Sequence, residues 1–142
     1  EDMQRGMVLI EPSYEVSSEY QRVVDTVVTT YKKWNTAIYV IWYPLISDRK
    51  SASVTFNSSI SKKGKSEAMI ESLTQHNFKN LLKIELCVTT NNDAGGMYGS
   101  GMLIINAPWK LDVKIKESLQ ELSPLMAQSD GASYSVDWLI EE

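Results

Sequence analysis

The 142-residue chain is 43% hydrophobic and 23% charged, an ordinary balance for one globular domain or a piece of a larger one. Its formal net charge of −4 excludes a global basic footprint for nucleic acid, so any such site is local or lies on another part of the protein. The single cysteine, Cys87, excludes an internal disulfide and a multi-cysteine metal site, and its neighbours Leu86 and Val88 make it read as a buried core thiol. No run of about 18 apolar residues predicts a membrane span. No secretory signal is visible either, and the expected location is cytoplasmic. The chain opens on Glu1-Asp2 without an initiator methionine. A core strand follows within a few residues, as expected of a chain cut from a longer parent.

In chain order, Met7-Val8-Leu9-Ile10 is a short apolar run that predicts a buried strand of a parallel sheet. Pro12 ends it, because proline donates no ladder hydrogen bond and forces Glu11 into an extended conformation. A carboxylate, a rigid turn, a hydroxyl (Ser13) and an aromatic ring (Tyr14) thus sit at the carboxyl end of a strand, where open α/β sheets bind ligands. Ser17-Ser18-Glu19 offers a helix N-cap with an acidic first turn. Tyr20, Val23, Val24, Val27, Val28 and Tyr31 then keep the rhythm of one helix face. Residues 37–43 predict a second buried strand, stopped by Pro44. Strand, helix and strand form a right-handed βαβ unit, which puts Trp42 and Tyr43 beside the Pro12 turn. They are expected in core and cleft wall.

Residues 46–66 alternate serines with Arg49, Lys50, Lys62, Lys63 and Lys65, a stretch long enough to be an insertion loop or a flap. A solvated insertion is the plainer reading, and contact with a phosphate backbone the other. Residues 67–76 predict a short amphipathic helix ending at His76, the only histidine, which has no partner for metal binding or base catalysis. A third strand is expected over 81–88, where Glu85 faces away from Ile84 and Leu86 and needs solvent or a partner. The glycine-rich stretch 91–101 fits no phosphate-binding fingerprint and reads as a hairpin connection into a fourth strand at 102–107. Val113, Ile115, Leu119, Leu122 and Leu125 are available for packing on a helix over 112–126. In a final strand over 133–140, Tyr134, Val136, Trp138 and Ile140 are expected on one face.

Methylation of adenine's exocyclic amine needs acceptors on its two N–H groups, because the nitrogen lone pair is delocalised into the ring. A carboxylate and a rigid proline-turn carbonyl supply such acceptors, and a nearby aromatic ring can stack on a flipped-out base. Glu11, Pro12, Ser13 and Tyr14 present these groups in that order. Together with Arg5-Gly6 ahead of the strand, Ile41-Trp42-Tyr43-Pro44, Gly99-Ser100-Gly101-Met102 and Asn106-Ala107-Pro108-Trp109-Lys110-Leu111, they resemble the bacterial family that methylates an adenine N6 in large-subunit ribosomal RNA. The match extends along nearly the whole chain, 46–66 apart.

The resemblance implies the C-terminal half of a Rossmann-like, S-adenosylmethionine-dependent methyltransferase sheet, with mixed strands and helices on both faces. Residues 1–142 form a partial methyltransferase domain that starts at the motif strand. It implies Glu11, Pro12, Ser13 and Tyr14 as the catalytic turn, with Glu11 also touching cofactor and Tyr14 stacking on the base. Trp109 and Lys110 join Tyr14 in substrate binding. The implied partners are an adenine of ribosomal RNA and an upstream N-terminal half of the same protein, which holds most cofactor contacts; no membrane and no metal are implied. The family has aspartate at position 11 and a second proline at position 13. Glutamate is roughly 1 Å longer, a displacement that can cost on the order of 100-fold in rate. These two departures raise an alternative, a catalytically degenerate methyltransferase-like module that binds RNA or protein.

Overall fold

In a computed structural model of the chain, residues 6–47, 64–91 and 95–141 are described. They form eight elements: β1 (Met7–Ile10), α1 (Ser18–Lys33), β2 (Ile38–Ser47), α2 (Lys65–Thr74), β3 (Leu81–Cys87), β4 (Gly96–Ile105), α3 (Leu111–Met126) and β5 (Ser133–Ile140). The strands make one mixed sheet in the order β1-β2-β4-β3-β5, parallel only between β1 and β2. Helices cover both faces. Tyr20, Val23, Val24 and Val27 of α1 and Met69 and Leu73 of α2 pack with Tyr39, Ile41 and Tyr43 of β2 on one side. On the other side, Leu119 of α3 packs with Leu82, Ile84, Ile104 and Val136.

The helix rhythm placed α1 correctly, and the parallel βαβ unit is present. Four expectations about the strands change. First, β1 is an edge strand rather than a doubly buried one: Val8 and Ile10 pack toward α1, but Met7 and Leu9 on the other face are 68% and 60% exposed. Second, β2 runs through Pro44 to Ser47. Proline is tolerated because β1 pairs only as far as Ile41, so the side of β2 away from β4 is already open. The Pro44 carbonyl, which points the same way as the missing N–H, accepts a hydrogen bond from Ser66 Oγ at 3.1 Å. Third, β4 begins at Gly96, so Gly99 and Gly101 lie within the strand and not in a hairpin connection. Fourth, the register of β5 shifts between the partners of Leu81 and Leu82. Val136 and Trp138 therefore face α3 while Ile140 turns to the opposite core, and Tyr134 lies exposed.

Gly101 of β4 is needed for a side chain that crosses it. Tyr43, Gly101 and Glu85 stand in one row across β2, β4 and β3. The Tyr43 ring lies over Gly101, where a Cβ would come within 2.0 Å of ring carbon Cζ. Its hydroxyl donates to Glu85 Oε1 at 2.8 Å, and Lys83 Nζ lies 3.7 Å from Oε2. The partner that Glu85 requires is thus a tyrosine two strands away. The α3 stripe is less buried than its periodicity suggests: Leu119 is inside, while Val113, Leu122 and Leu125 are exposed.

The stretch 46–66 is shorter as a connection than expected, since Ile46 and Ser47 finish β2 and Lys65 and Ser66 start α2. Its central residues, 48–63, lie outside the described residues. Among the described residues, no helix is long and apolar enough to cross a membrane, and no group of three or more His, Cys, Asp or Glu is placed to hold a metal.

Gly101→Ala is expected to destabilise the fold by about 1–3 kcal/mol, because the added methyl cannot fit under the Tyr43 ring without displacing it. Urea unfolding of the variant beside the parent chain measures this, and an unchanged midpoint would contradict it.

Candidate active site

The carboxyl ends of β1, β2 and β3 point the same way, so the Pro12 turn, the end of β2 and the β3–β4 connection share one edge of the sheet. At the turn, Glu11 and Ser13 are exposed and Pro12 is half-buried. Ser13 Oγ donates to Glu19 Oε2 at 3.3 Å, which ties the turn to the first turn of α1. Lys65 Nζ donates to Ser17 Oγ, so the start of α2 also meets this edge.

Tyr14 departs from the expectation of an exposed stacking ring. It is 2% exposed, and its ring packs against Tyr20 and Trp42 at centroid distances of 4.5 and 6.0 Å. Its hydroxyl donates to the Trp42 carbonyl at 2.7 Å and lies 3.8 Å from Met69 Sδ. The physical reason is the end of β1. Past Ile41, the carbonyl of Trp42 has no strand to pair with, and the phenol of Tyr14 reaches in to satisfy it. To do so the backbone at Tyr14 adopts φ 55°, a left-handed conformation that costs on the order of 1–3 kcal/mol for a residue with a side chain. Burial of the ring offsets that strain. Tyr14 therefore fixes which way Glu11 and Ser13 face.

Trp109 and Lys110 also lie elsewhere. They follow β4, whose end is in register with the beginnings of β2 and β3. They therefore sit at the opposite edge of the sheet from the Pro12 turn. Strands rise about 3.3 Å per residue, so even the four residues of β1 separate the two edges by more than about 10 Å. Trp109 is 85% exposed, with Lys110 Nζ 4.2 Å above its ring. Trp42 is half-buried beside the turn, with its ring against that of Tyr14. This is where the βαβ unit was expected to put it, in the cleft wall.

Cys87 is half-buried, and burial pushes its thiol pKa up, so it is a poor nucleophile. Burial also raises the Tyr14 phenol above its ordinary value of 10.0, with Tyr20 and Glu19 adding to the shift. Tyr43 shifts the same way through burial and then the Glu85 carboxylate. Both hydroxyls remain donors throughout the neutral range.

Residues 1–140 match the family RsmJ, described as ribosomal RNA large subunit methyltransferase D, RlmJ. The chain belongs to that family. Two curated relatives are named ribosomal RNA large subunit methyltransferase J. The Haemophilus influenzae protein is 33% identical over 138 residues, and the Escherichia coli protein 32%. In each comparison the alignment takes in 97% of this chain but 44% of the relative, so the chain spans less than half the length of the curated relatives it matches. A crystal structure of a Legionella pneumophila protein superposes with a TM-score of 0.75 at 27% identity, over 94% of this chain and 43% of that one.

Tyr14→Phe is expected to cost about 1–3 kcal/mol at neutral pH, since the Trp42 carbonyl is left without its donor. The parent chain should also lose stability above about pH 10. Unfolded tyrosines ionise there while Tyr14 and Tyr43 hold their protons in the fold, so the folded state binds more protons and stability falls as pH rises. Urea titrations at neutral and alkaline pH test both; in Tyr14→Phe the alkaline loss should be smaller.

Proposed function

We propose that this chain is the motif-bearing half of a Rossmann-like methyltransferase that uses S-adenosylmethionine to methylate the N6 amine of an adenine in large-subunit ribosomal RNA. The observation that carries the reading is the Pro12 turn: an exposed carboxylate and a rigid proline at the carboxyl end of a parallel strand, in a member of a ribosomal RNA methyltransferase family. Glu11 accepts one N–H of the amine and the Pro12 carbonyl the other. Paired acceptors favour a pyramidal nitrogen whose lone pair can attack. Glu11 also stands where the amine proton leaves once nitrogen has gained its methyl. Ser13, bonded to Glu19, and Tyr14, bonded to Trp42, hold the acceptors in place.

S-adenosylmethionine supplies the methyl group when bound, and Glu11 is the residue of this chain that would touch it. Cavities of about 290 and 620 Å³ open beside the end of α1 and between α3 and β5, away from the turn. The remaining length of the relatives is the natural source of the cofactor cradle. The free edge of β1 and the bare side chains of Met7 and Leu9 offer that upstream half a place to pair and pack. Glu11 would then lie at a seam between the halves, which accounts for its exposure here.

The test is transfer of labelled methyl from S-adenosylmethionine to large-subunit ribosomal RNA by a protein in which this chain is joined to an upstream half of the family. The expected product is N6-methyladenine, and Glu11→Ala should lower the rate at least about 100-fold. No transfer, or methyl at another position, overturns the reading. The degenerate alternative is separated by Glu11→Asp: activity gained from an inactive parent favours it, whereas activity lost from an active parent identifies a site retuned for glutamate.

A further inference from the structure

The sheet edge opposite the Pro12 turn gathers features that methyl transfer does not use. The cavity of about 290 Å³ there is lined by Val28, Tyr31, Lys32, Asn35, His76 and Phe78, together with Asn77. Phe78 is buried and meets Tyr31 edge-on at 4.8 Å, giving the cavity an aromatic floor, while Lys32 is exposed at its rim. Asn106 locks the Trp109 loop beside it. Asn106 Nδ2 donates to the carbonyls of Asn35 and Ala37 at 2.8 and 2.7 Å, and Tyr31 Oη donates to Asn106 Oδ1 at 3.4 Å. Three residues on, Trp109 projects into solvent under the Lys110 ammonium. Lys110 holds φ 60° as the N-cap of α3, so the positive end of a 16-residue helix faces the same edge.

An exposed indole under a cation, at the same sheet edge as an aromatic cavity with a lysine rim, is what stacking on unpaired bases and neutralising their phosphates require. Trp109 belongs to neither core cluster, so its ring is left available to a partner. In a chain of net charge −4, this edge carries Lys32, Lys110 and, in the first turn of α3, the exposed Lys114; the acids facing them are Asp112, which accepts the Trp138 indole N–H at 3.4 Å, and the exposed Glu141 that follows β5. The cavity is small for a drug-like ligand but sufficient for one base.

We propose that this edge is a second RNA-binding surface, which holds an unpaired stretch of the substrate by stacking on Trp109 and seating a neighbouring nucleotide in the Tyr31–Phe78 cavity. The proposal rests on the RNA-substrate reading above and adds a contact remote from the reacting amine. Helix α1 runs from one edge to the other, and its 16 residues span roughly 24 Å. An RNA held at both edges is thereby oriented as well as bound.

Fluorescence anisotropy of the full 142-residue chain with a labelled single-stranded RNA of about 12 nucleotides tests the proposal. Trp109→Ala should weaken binding about tenfold. Lys110→Gln and Lys32→Gln should each lower the slope of log affinity against log salt by about 0.7. Lys116→Gln, on α3 beside the cavity it forms with β5, should leave affinity unchanged. Circular dichroism checks that the variants fold. Undiminished affinity of Trp109→Ala, or tighter binding of duplex DNA of equal length, overturns the proposal. The enzymatic reading fails separately: absence of methyl transfer with Trp109-dependent RNA binding intact sinks that reading alone.

Discussion

The structure depends on how β2 is satisfied beyond the point where β1 stops. A strand inside a sheet has partners on both sides, but β2 loses one after Ile41 because Pro12 ends its parallel neighbour. The Trp42 and Pro44 carbonyls that follow are answered by two hydroxyls, Tyr14 from the turn and Ser66 from α2. That requirement draws Tyr14 into the core at a strained dihedral, turns Glu11 and Ser13 outward and seats the first turn of α2 against the strand. It also makes a mid-strand proline harmless. The orientation of the candidate catalytic groups is thus a by-product of backbone accounting.

Much of this was legible in the sequence. Valines at helical spacing gave α1, two apolar runs gave the parallel pair, and the parallel pair put the ends of both strands at one edge. Where local chemistry competed with tertiary context, it misled. Pro44 reads as a strand terminator unless one knows that the neighbouring strand has already ended. Gly99 and Gly101 read as loop residues unless one knows that a backbone carbonyl of β3 crowds the first and a tyrosine ring passes over the second. Tyr14 and Trp109 were assigned from the order of motifs, and order along a chain does not say which end of an antiparallel strand a residue reaches.

The separation of Trp109 from the Pro12 turn gives the chain two edges with different chemistry. One carries an exposed carboxylate on a rigid turn and suits a reacting amine. The other carries aromatic rings and lysines and suits a flexible polyanion. Helix α1 joins them, with Glu19 at one end and Lys32 and Lys33 at the other. Its charges follow its own dipole, so the same residues that stabilise the helix also give the two edges opposite electrostatic character.

The row formed by Tyr43, Gly101 and Glu85 also guards against mispairing. Strand β4 is rich in glycine, and such strands are prone to slide against their neighbours, because little distinguishes one alignment from the next. A slip of one residue would bring Ser100 or Met102 under the tyrosine ring, where only a hydrogen fits, and would pull the phenol away from its carboxylate. The crossing therefore works as a register pin. The central strand can stay thin enough for rings to pass while the sheet keeps a single alignment.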